Sequence, residues 1–355
     1  MGIKLGIVGY GGMANWHHKN SVRVPGMEVV GAFDIDPEAQ ANAKKNGIIA
    51  FDSREALLKD PNINLVLVAT PNDVHCEIAV AAIKAGKNVI SEKPVAMNIR
   101  QVDEMIETSL KEKVLFTVHQ NRRWDKDYLT MRNVVEKGLI GTPYTIESRV
   151  HGTGGLMHGW RGYAKHGGGM LLDWGVHMLD QILFMYPTGL KTVFAQLRNI
   201  KNPQDPTIDD YAKVVLTFES GLSATMEVAT FTMRQMPRWF VCGDVGAVVI
   251  EDFGAERGGI TRMLSLKETF EKEIQETAAG PTRTMAPLPE ETKEDLALPD
   301  VPAEWSELYK NVGAAIDGKA ELIVKPVEVR RVFRVMEEAM LSSAKDISVA
   351  FDEKG

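Results

Sequence analysis

The chain has 355 residues, 44% hydrophobic and 25% charged, with 31 Gly and 16 Pro. These values exclude a disulfide miniprotein, a fibrous protein and a disordered chain, and at roughly 100–200 residues per domain they predict two domains. Forty-one basic residues against 48 acidic ones give a net charge of −7, which argues against nucleic acid or an anionic membrane as partner.

Short apolar runs alternate with helical patterns through the first 120 residues. Strands are predicted over Lys4 to Gly9, Met27 to Asp34, Leu65 to Thr70, Asn88 to Glu92 and Val114 to His119, with helices opening near Met13, Pro37, Asp73 and Asn98. This is the pattern of βα units wound on both faces of a parallel sheet, and it assigns residues 1–121 to a doubly wound domain. Residues 122–355 read as a second, α+β domain. Helices are predicted over Asp125 to Lys137, from Met170, over Trp305 to Asp317 and over Val327 to Ala344. Period-two strands are predicted over Thr192 to Asn199, Ala212 to Glu219, Ser223 to Thr232 and Trp239 to Val241, with a turn at Ser220-Gly221, as in a large, open, mainly antiparallel sheet. Glu268 to Pro302 is charged, Pro-containing and weakly periodic, and reads as a surface excursion.

Cys76 and Cys242 stand far apart and outside any CxxC spacing, so a reducing compartment is expected and a thiolate metal site is not. The opening residues run straight into a strand pattern. No secretory leader, myristoylation signal or long apolar span is recognised, and a cytoplasmic protein is expected.

Gly9-Tyr10-Gly11-Gly12-Met13-Ala14 fits the GxGxxA dinucleotide fingerprint. Gly9 makes the tight turn, Gly11 lets backbone approach a pyrophosphate, and Ala14 permits close helix–strand packing. The turn through Gly12 and Met13 opens a helix whose N–H groups attract phosphates. Asp34 ends the next strand, where an acid accepts from both ribose hydroxyls and repels a 2′-phosphate, so NAD is expected over NADP. Asp36, ahead of Pro37, reads as a helix cap.

Glu92-Lys93-Pro94 follows the strand Val89-Ile90-Ser91, at the carboxyl end where open parallel sheets place ligands. Lys93 can face a substrate there or be a solvated surface charge; Pro94 restricts it to extended backbone and can fix a tight turn. Further along, Leu172, Val176, Leu179 and Leu183 form an apolar helical stripe, and Asp173, His177 and Asp180 follow on an adjacent one. That spacing predicts that Asp173 and His177 meet as an acid–base pair. His177 can equally be a core histidine satisfied by Asp173. A metal shared with His151, His158 and His166 lacks any HExxH-like spacing, and no metal is expected.

Jointly these motifs, with Ala69-Thr70-Pro71-Asn72-Asp73-Val74-His75 and Asn121-Arg122-Arg123-Trp124, resemble the Gfo/Idh/MocA family over nearly the whole chain. The resemblance implies an N-terminal Rossmann domain that binds NAD. It further implies that Lys93 touches the reacting oxygen, that His177 exchanges its proton, and that Asp173 orients substrate or His177. Thr70, Pro71, Asn72, His75 and Glu92 would line the nicotinamide half, with Gln120 and Asn121 nearby and Arg122 and Trp124 at the domain junction. His158, Trp160, Arg161 and Tyr163, in or beside a Gly-rich stretch from Gly152 to Gly169, are candidates for sugar recognition by stacking and hydrogen bonding.

The expected reaction is reversible oxidation of a secondary ring hydroxyl of a sugar, glycoside or cyclitol. An NAD-dependent glycosidase acting by oxidation and elimination, and a non-catalytic NAD or sugar sensor, are the rival expectations. The open sheet needs a cover, and the resemblance implies a homodimer or homotetramer through it.

Overall fold

The computed structural model describes residues 2–155, 159–203, 205–264, 274–283 and 292–353. The first sheet takes β1 (Ile3–Val8), β2 (Met27–Phe33), β3 (Ile49–Ala50), β4 (Leu65–Val68), β5 (Asn88–Ser91) and β6 (Phe116–Val118) in the order 3-2-1-4-5-6, with every pairing parallel. Helices α1 (Gly12–Asn20), α2 (Pro37–Lys45), α3 (Arg54–Lys59), α4 (His75–Lys84) and α5 (Ile99–Glu112) connect them. All four residues of β4 are fully buried, because a parallel strand covered on both faces must be apolar throughout. The chain reverses direction across the sheet between β1 and β4, which opens a crevice at their carboxyl ends. Asp36 caps α2 through the Glu38 N–H, with Pro37 in the first turn, as predicted.

After α6 (Lys126–Glu136) the second sheet begins with β7 (Pro143–His151). It continues, beyond α7 (Val176–Met185), with β8 (Leu190–Arg198), β9 (Tyr211–Phe218), β10 (Ser223–Ala229), β11 (Trp239–Gly243), β12 (Gly246–Ile250) and β13 (Gly258–Met263). β14 (Ile274–Thr277) and β15 (Gly280–Arg283) pair as a separate hairpin, and β16 (Lys293–Leu296) returns to β13. The helices α8 (Glu307–Ile316) and α9 (Pro326–Lys345) precede β17 (Val349–Ala350). The nine strands run 16-13-12-11-7-10-9-8-17, antiparallel except for the β7–β10 pair. Buried residues alternate strictly along β9 and β11, so one face of the sheet is core and the other is open.

Several elements depart from expectation, among them the short β3 and α3 and the strands β12, β13 and β17, which are not predicted from the sequence. β7, central to the sheet, is not apparent in the sequence, and the span read as a plain surface excursion contains the hairpin and β16. The helix expected from Met170 begins instead with one π-helical turn, Leu171–Gly175, before α7. Among the described residues no helix is long and apolar enough to cross a membrane.

Candidate active site

A cavity of about 940 Å³ follows the crevice between β1 and β4 and continues to the second sheet's helical turn. Gly9, Gly11, Gly12 and Met13 line its start, with Asp34 beside them. Gly9 has φ 88°, and a Cβ there would stand 2.7 Å from the Ala69 carbonyl oxygen, so glycine is required. A Cβ on Gly11 or Gly12 would meet nothing within 4 Å, which leaves open space over the helix N-terminus. That open, N–H-lined turn fits a dinucleotide pyrophosphate. The Asp34 carboxylate accepts from the Tyr10 and Asp36 N–H groups and keeps further lone pairs for ribose hydroxyls. Arg54, also on the wall, is paired with Glu77 at 2.7 Å and Glu55 at 3.2 Å.

Thr70, Pro71 and Asn72, after β4, form the middle of the wall, and Glu92 and Lys93, after β5, its far end. The Lys93–Pro94 peptide bond is cis. Lys93 Nζ donates to Asp173 Oδ1 at 2.8 Å and to the Asp173 carbonyl oxygen at 2.7 Å, so the first domain's lysine grips the second domain's π-helical turn. Arg161 Nε lies 3.5 Å from the same carboxylate oxygen. Burial raises the Asp173 pKa, but the charges of Lys93 and Arg161 prevail and hold it below its ordinary value.

The Asp173–His177 pair predicted from spacing does not form. The π-helical turn adds a residue to the repeat, Asp173 pairs with Lys93, and His177 Nδ1–H donates to Gln120 Oε1 at 3.1 Å. Asp180 instead takes a two-pronged contact from Arg123, at 2.8 and 2.7 Å. With Nδ1 protonated by that bond, Nε2 of His177 is the lone-pair nitrogen, the form a proton acceptor needs. Burial, then the charges of Lys93 and Arg122, push the His177 pKa well below the ordinary imidazole value.

Arg122, Trp160 and Arg161 stand on the far wall, joined by Asn121, His119 and Trp174. Arg122 lies over the Trp174 ring at 4.2 Å and pairs with Asp125 at 2.7 Å. Four expected residues stand elsewhere. His75 lies behind the wall, its ring nitrogens against the Pro94 and Thr70 carbonyls at 2.9 and 2.8 Å, tying two turns together. Gln120 reaches the site only through His177. Trp124 packs against the core, and Tyr163 is exposed beside Lys165, outside the cavity wall. His158 lies outside the described residues.

Two groups escaped sequence reasoning. Asp209 is half-buried, and its Oδ2 accepts the Leu171 N–H at 2.7 Å while its carbonyl accepts the Met170 N–H, so it caps the turn that carries Asp173. Gly169, with φ 105°, is required beside it, because a Cβ would come within 2.5 Å of Asp209 Oδ1. The second group is a buried chain beneath Glu92: Tyr309 O–H donates to His17 Nδ1 at 2.7 Å, His17 Nε2 lies 2.6 Å from Glu92 Oε1, and His119 Nδ1 lies 3.0 Å from that same oxygen. These ligand-type atoms lie within 4.8 Å of one another in the His17, Glu92 and His119 set, but they already satisfy each other by hydrogen bonds. The α1 and α8 positions are too far apart in sequence for spacing to have linked them.

Comparison with known proteins agrees with this geometry. Residues 3–120 match the family model for the oxidoreductase family, NAD-binding Rossmann fold, and residues 128–249 match the GFO/IDH/MocA C-terminal domain. A solved NAD-binding protein from Listeria innocua is 36% identical and superposes with a TM-score of 0.87, covering 99% of this chain and 97% of that one. The myo-inositol 2-dehydrogenase of Thermotoga maritima is 30% identical over 225 residues, 62% of this chain and 66% of its own. The scyllo-inositol 2-dehydrogenase (NADP(+)) IolW of Bacillus subtilis is 25% identical over 361 residues, 99% of this chain and 96% of its own. With the cofactor turn, the parallel sheet and the matching second domain all in place, this chain belongs to the GFO/IDH/MocA family and is an NAD-binding oxidoreductase.

Proposed function

We propose that the protein oxidises a secondary ring hydroxyl of a sugar, glycoside or cyclitol to a ketone, reversibly, and uses NAD in preference to NADP. The observation that carries this reading is the meeting of Lys93, Asp173 and a tautomer-fixed His177 in one cavity with the dinucleotide turn. Bound NAD supplies a hydride acceptor. His177 Nε2 takes the hydroxyl proton, and the low pKa of the buried imidazole keeps it available as a base at neutral pH. Lys93 stabilises negative charge developing on the substrate oxygen, and Asp173 holds the Lys93 ammonium in place. Thr70, Pro71, Asn72 and Glu92 line the nicotinamide half. Trp160, Arg161, Trp174 and Arg122 form a wall suited to stacking and hydrogen bonding with a polyol ring.

The inositol dehydrogenases among the relatives support a cyclitol or sugar substrate, and the Asp34 carboxylate supports NAD over NADP. We place the domain division at residues 121/122, the location in the cytoplasm, and a homodimer or homotetramer on the open face of the second sheet. Purified protein incubated with NAD+ and panels of cyclitols, free sugars and glycosides should reduce the cofactor, read by absorbance, while one class loses two hydrogens by mass. Reduction with none of these alcohols, in the presence of a short-chain alcohol or hydroxy acid that does react, overturns the substrate class.

A further inference from the structure

Glu92 carries a charge for which the proposed mechanism has no use. It is 6% exposed, and its carboxylate takes three donors: His17 and His119 on Oε1, and the Lys93 backbone N–H on Oε2. None of these is a permanent cation. The cations of the cavity wall are committed to other carboxylates, Lys93 and Arg161 to Asp173, Arg122 to Asp125 and Arg54 to Glu55 and Glu77. The network is deliberately built in the sense that it draws on α1, β5, the end of β6 and α8. Tyr309 supplies the proton that fixes His17 as a donor to Glu92, and His17, His119 and Tyr309 are each 1% exposed. Burial raises the Glu92 pKa, but the two imidazoles outweigh burial and hold it well below the usual carboxylate range.

Glu92 and His119 both line the cavity at the carboxyl end of β5, on the side of the cofactor turn remote from Asp34. A dinucleotide with its adenosine ribose at Asp34 places its nicotinamide at that end. The oxidised ring bears one positive charge more than the reduced ring, and a fixed negative charge in a buried wall acts on that difference with little screening.

We propose that the Glu92 carboxylate, held by His17, His119 and the Lys93 N–H, is a redox-state selector whose charge holds the oxidised cofactor in preference to the reduced one. By linkage, the ratio of the two affinities displaces the equilibrium on the protein by the same factor, towards alcohol plus oxidised cofactor. The site is therefore poised for ketone reduction: hydride passes to the carbonyl carbon, and the proton that completes the hydroxyl is drawn from water and relayed through His177 Nε2 as charge develops on the oxygen. This rests on the reading of Lys93 and His177 as the reacting end of the cavity.

The test is equilibrium binding of NAD+ and NADH to the whole protein, by calorimetry and by NADH fluorescence. Wild type should bind NAD+ at least as tightly as NADH. Glu92→Gln should move the affinity ratio towards NADH by about tenfold or more, while Glu92→Asp, which keeps the charge, and Tyr309→Phe, which alters the network but not the charge, keep the wild-type preference. An equal loss of both affinities in Glu92→Gln, or an unchanged ratio, overturns the selector alone. Should Glu92→Gln fail to fold, tighter binding of NADH than NAD+ by wild type overturns it as well. Binding of neither form by wild type removes the cofactor site and the selector together.

Discussion

His177 shows how a single side chain acquires a role from its surroundings. Its Nδ1–H is spent on Gln120, its ring is buried, and the nearest permanent charges that depress its pKa are the cations Lys93 and Arg122. A free imidazole half-protonated near neutrality thus becomes a neutral base with a defined lone pair. His177→Ala should lower kcat by about 10²–10⁴-fold, the usual worth of a positioned general base, and Lys93→Met should do at least as much damage. The NAD+ dissociation constant, measured by calorimetry, should stay within a few fold of wild type in both, because neither side chain belongs to the glycine turn or to the Asp34 end. A loss of NAD+ affinity as large as the loss of rate contradicts the roles assigned. At this scale the sequence indicated which residues matter better than whom they touch. Asp173 and His177 were identifiable as residue types, but their partners, Lys93 and Gln120, lie 80 and 57 positions away. His75 looked like a site residue and is a tie between two turns, since a histidine in a motif does not reveal which side of the wall it occupies.

The element that decides these partnerships is the π-helical turn Leu171–Gly175. It interrupts the 3.6-residue repeat between Asp173 and His177, so the two side chains leave the helix towards different neighbours. Asp209 fixes where the turn starts, and burial raises its pKa to about 6, against the backbone N–H bonds that lower it. Because the folded value lies above the ordinary 3.8, ionised Asp209 costs stability that is absent below about pH 4 and fully present above about pH 6, on the order of 3 kcal/mol. Asp209→Asn keeps an acceptor for Leu171 and removes the charge. It should retain kcat within about threefold and melt at or above the wild-type temperature at pH 7. Asp209→Ala loses the acceptor, and kcat should fall about tenfold to a hundredfold as the turn shifts. Equal activity of the Ala and Asn variants removes Asp209 from a positioning role. Elements were legible wherever packing imposed a simple rule: β4 is apolar throughout because both faces are covered, with β1, β2 and β5 apolar at their centres, and β9 and β10 alternate because one face is. β7 escaped because its buried side includes Ser148, which receives a hydrogen bond from buried Arg238, so the alternation is broken by a polar pair that no local pattern reveals.

Over the whole molecule, the second half of the chain does more than append a sheet. The α8 helix brings Tyr309 back to His17, the Val324 carbonyl accepts from Thr117 on β6, and Arg123 joins Asp180 on α7 to Glu328 on α9. The cavity is thus walled by segments that must all be folded together, with buried imidazoles among them. His17, His75 and His177 each have a pKa below the ordinary 6.5, burial being the largest cause in every case. An unfolded chain binds protons at these three positions near pH 6.5, before the folded chain does, so folding stability is complete above that pH and is lost as the pH falls below it. Asp209 works in the opposite direction over about pH 4–6, as do Asp125 and Asp180, whose carboxyls are also pushed up by burial, while His18 adds to the imidazoles. The melting temperature should therefore decline from pH 7 to pH 5 by calorimetry, and decline more steeply in Asp209→Asn, where that opposing carboxyl is gone. A flat profile in that variant means that the buried imidazoles gain protons without unfolding, and that burial does not oppose their charge as assigned. The same acid sensitivity follows the site itself, because the chain from Tyr309 to Glu92 that lies under the reacting end of the cavity is part of what the protons would break.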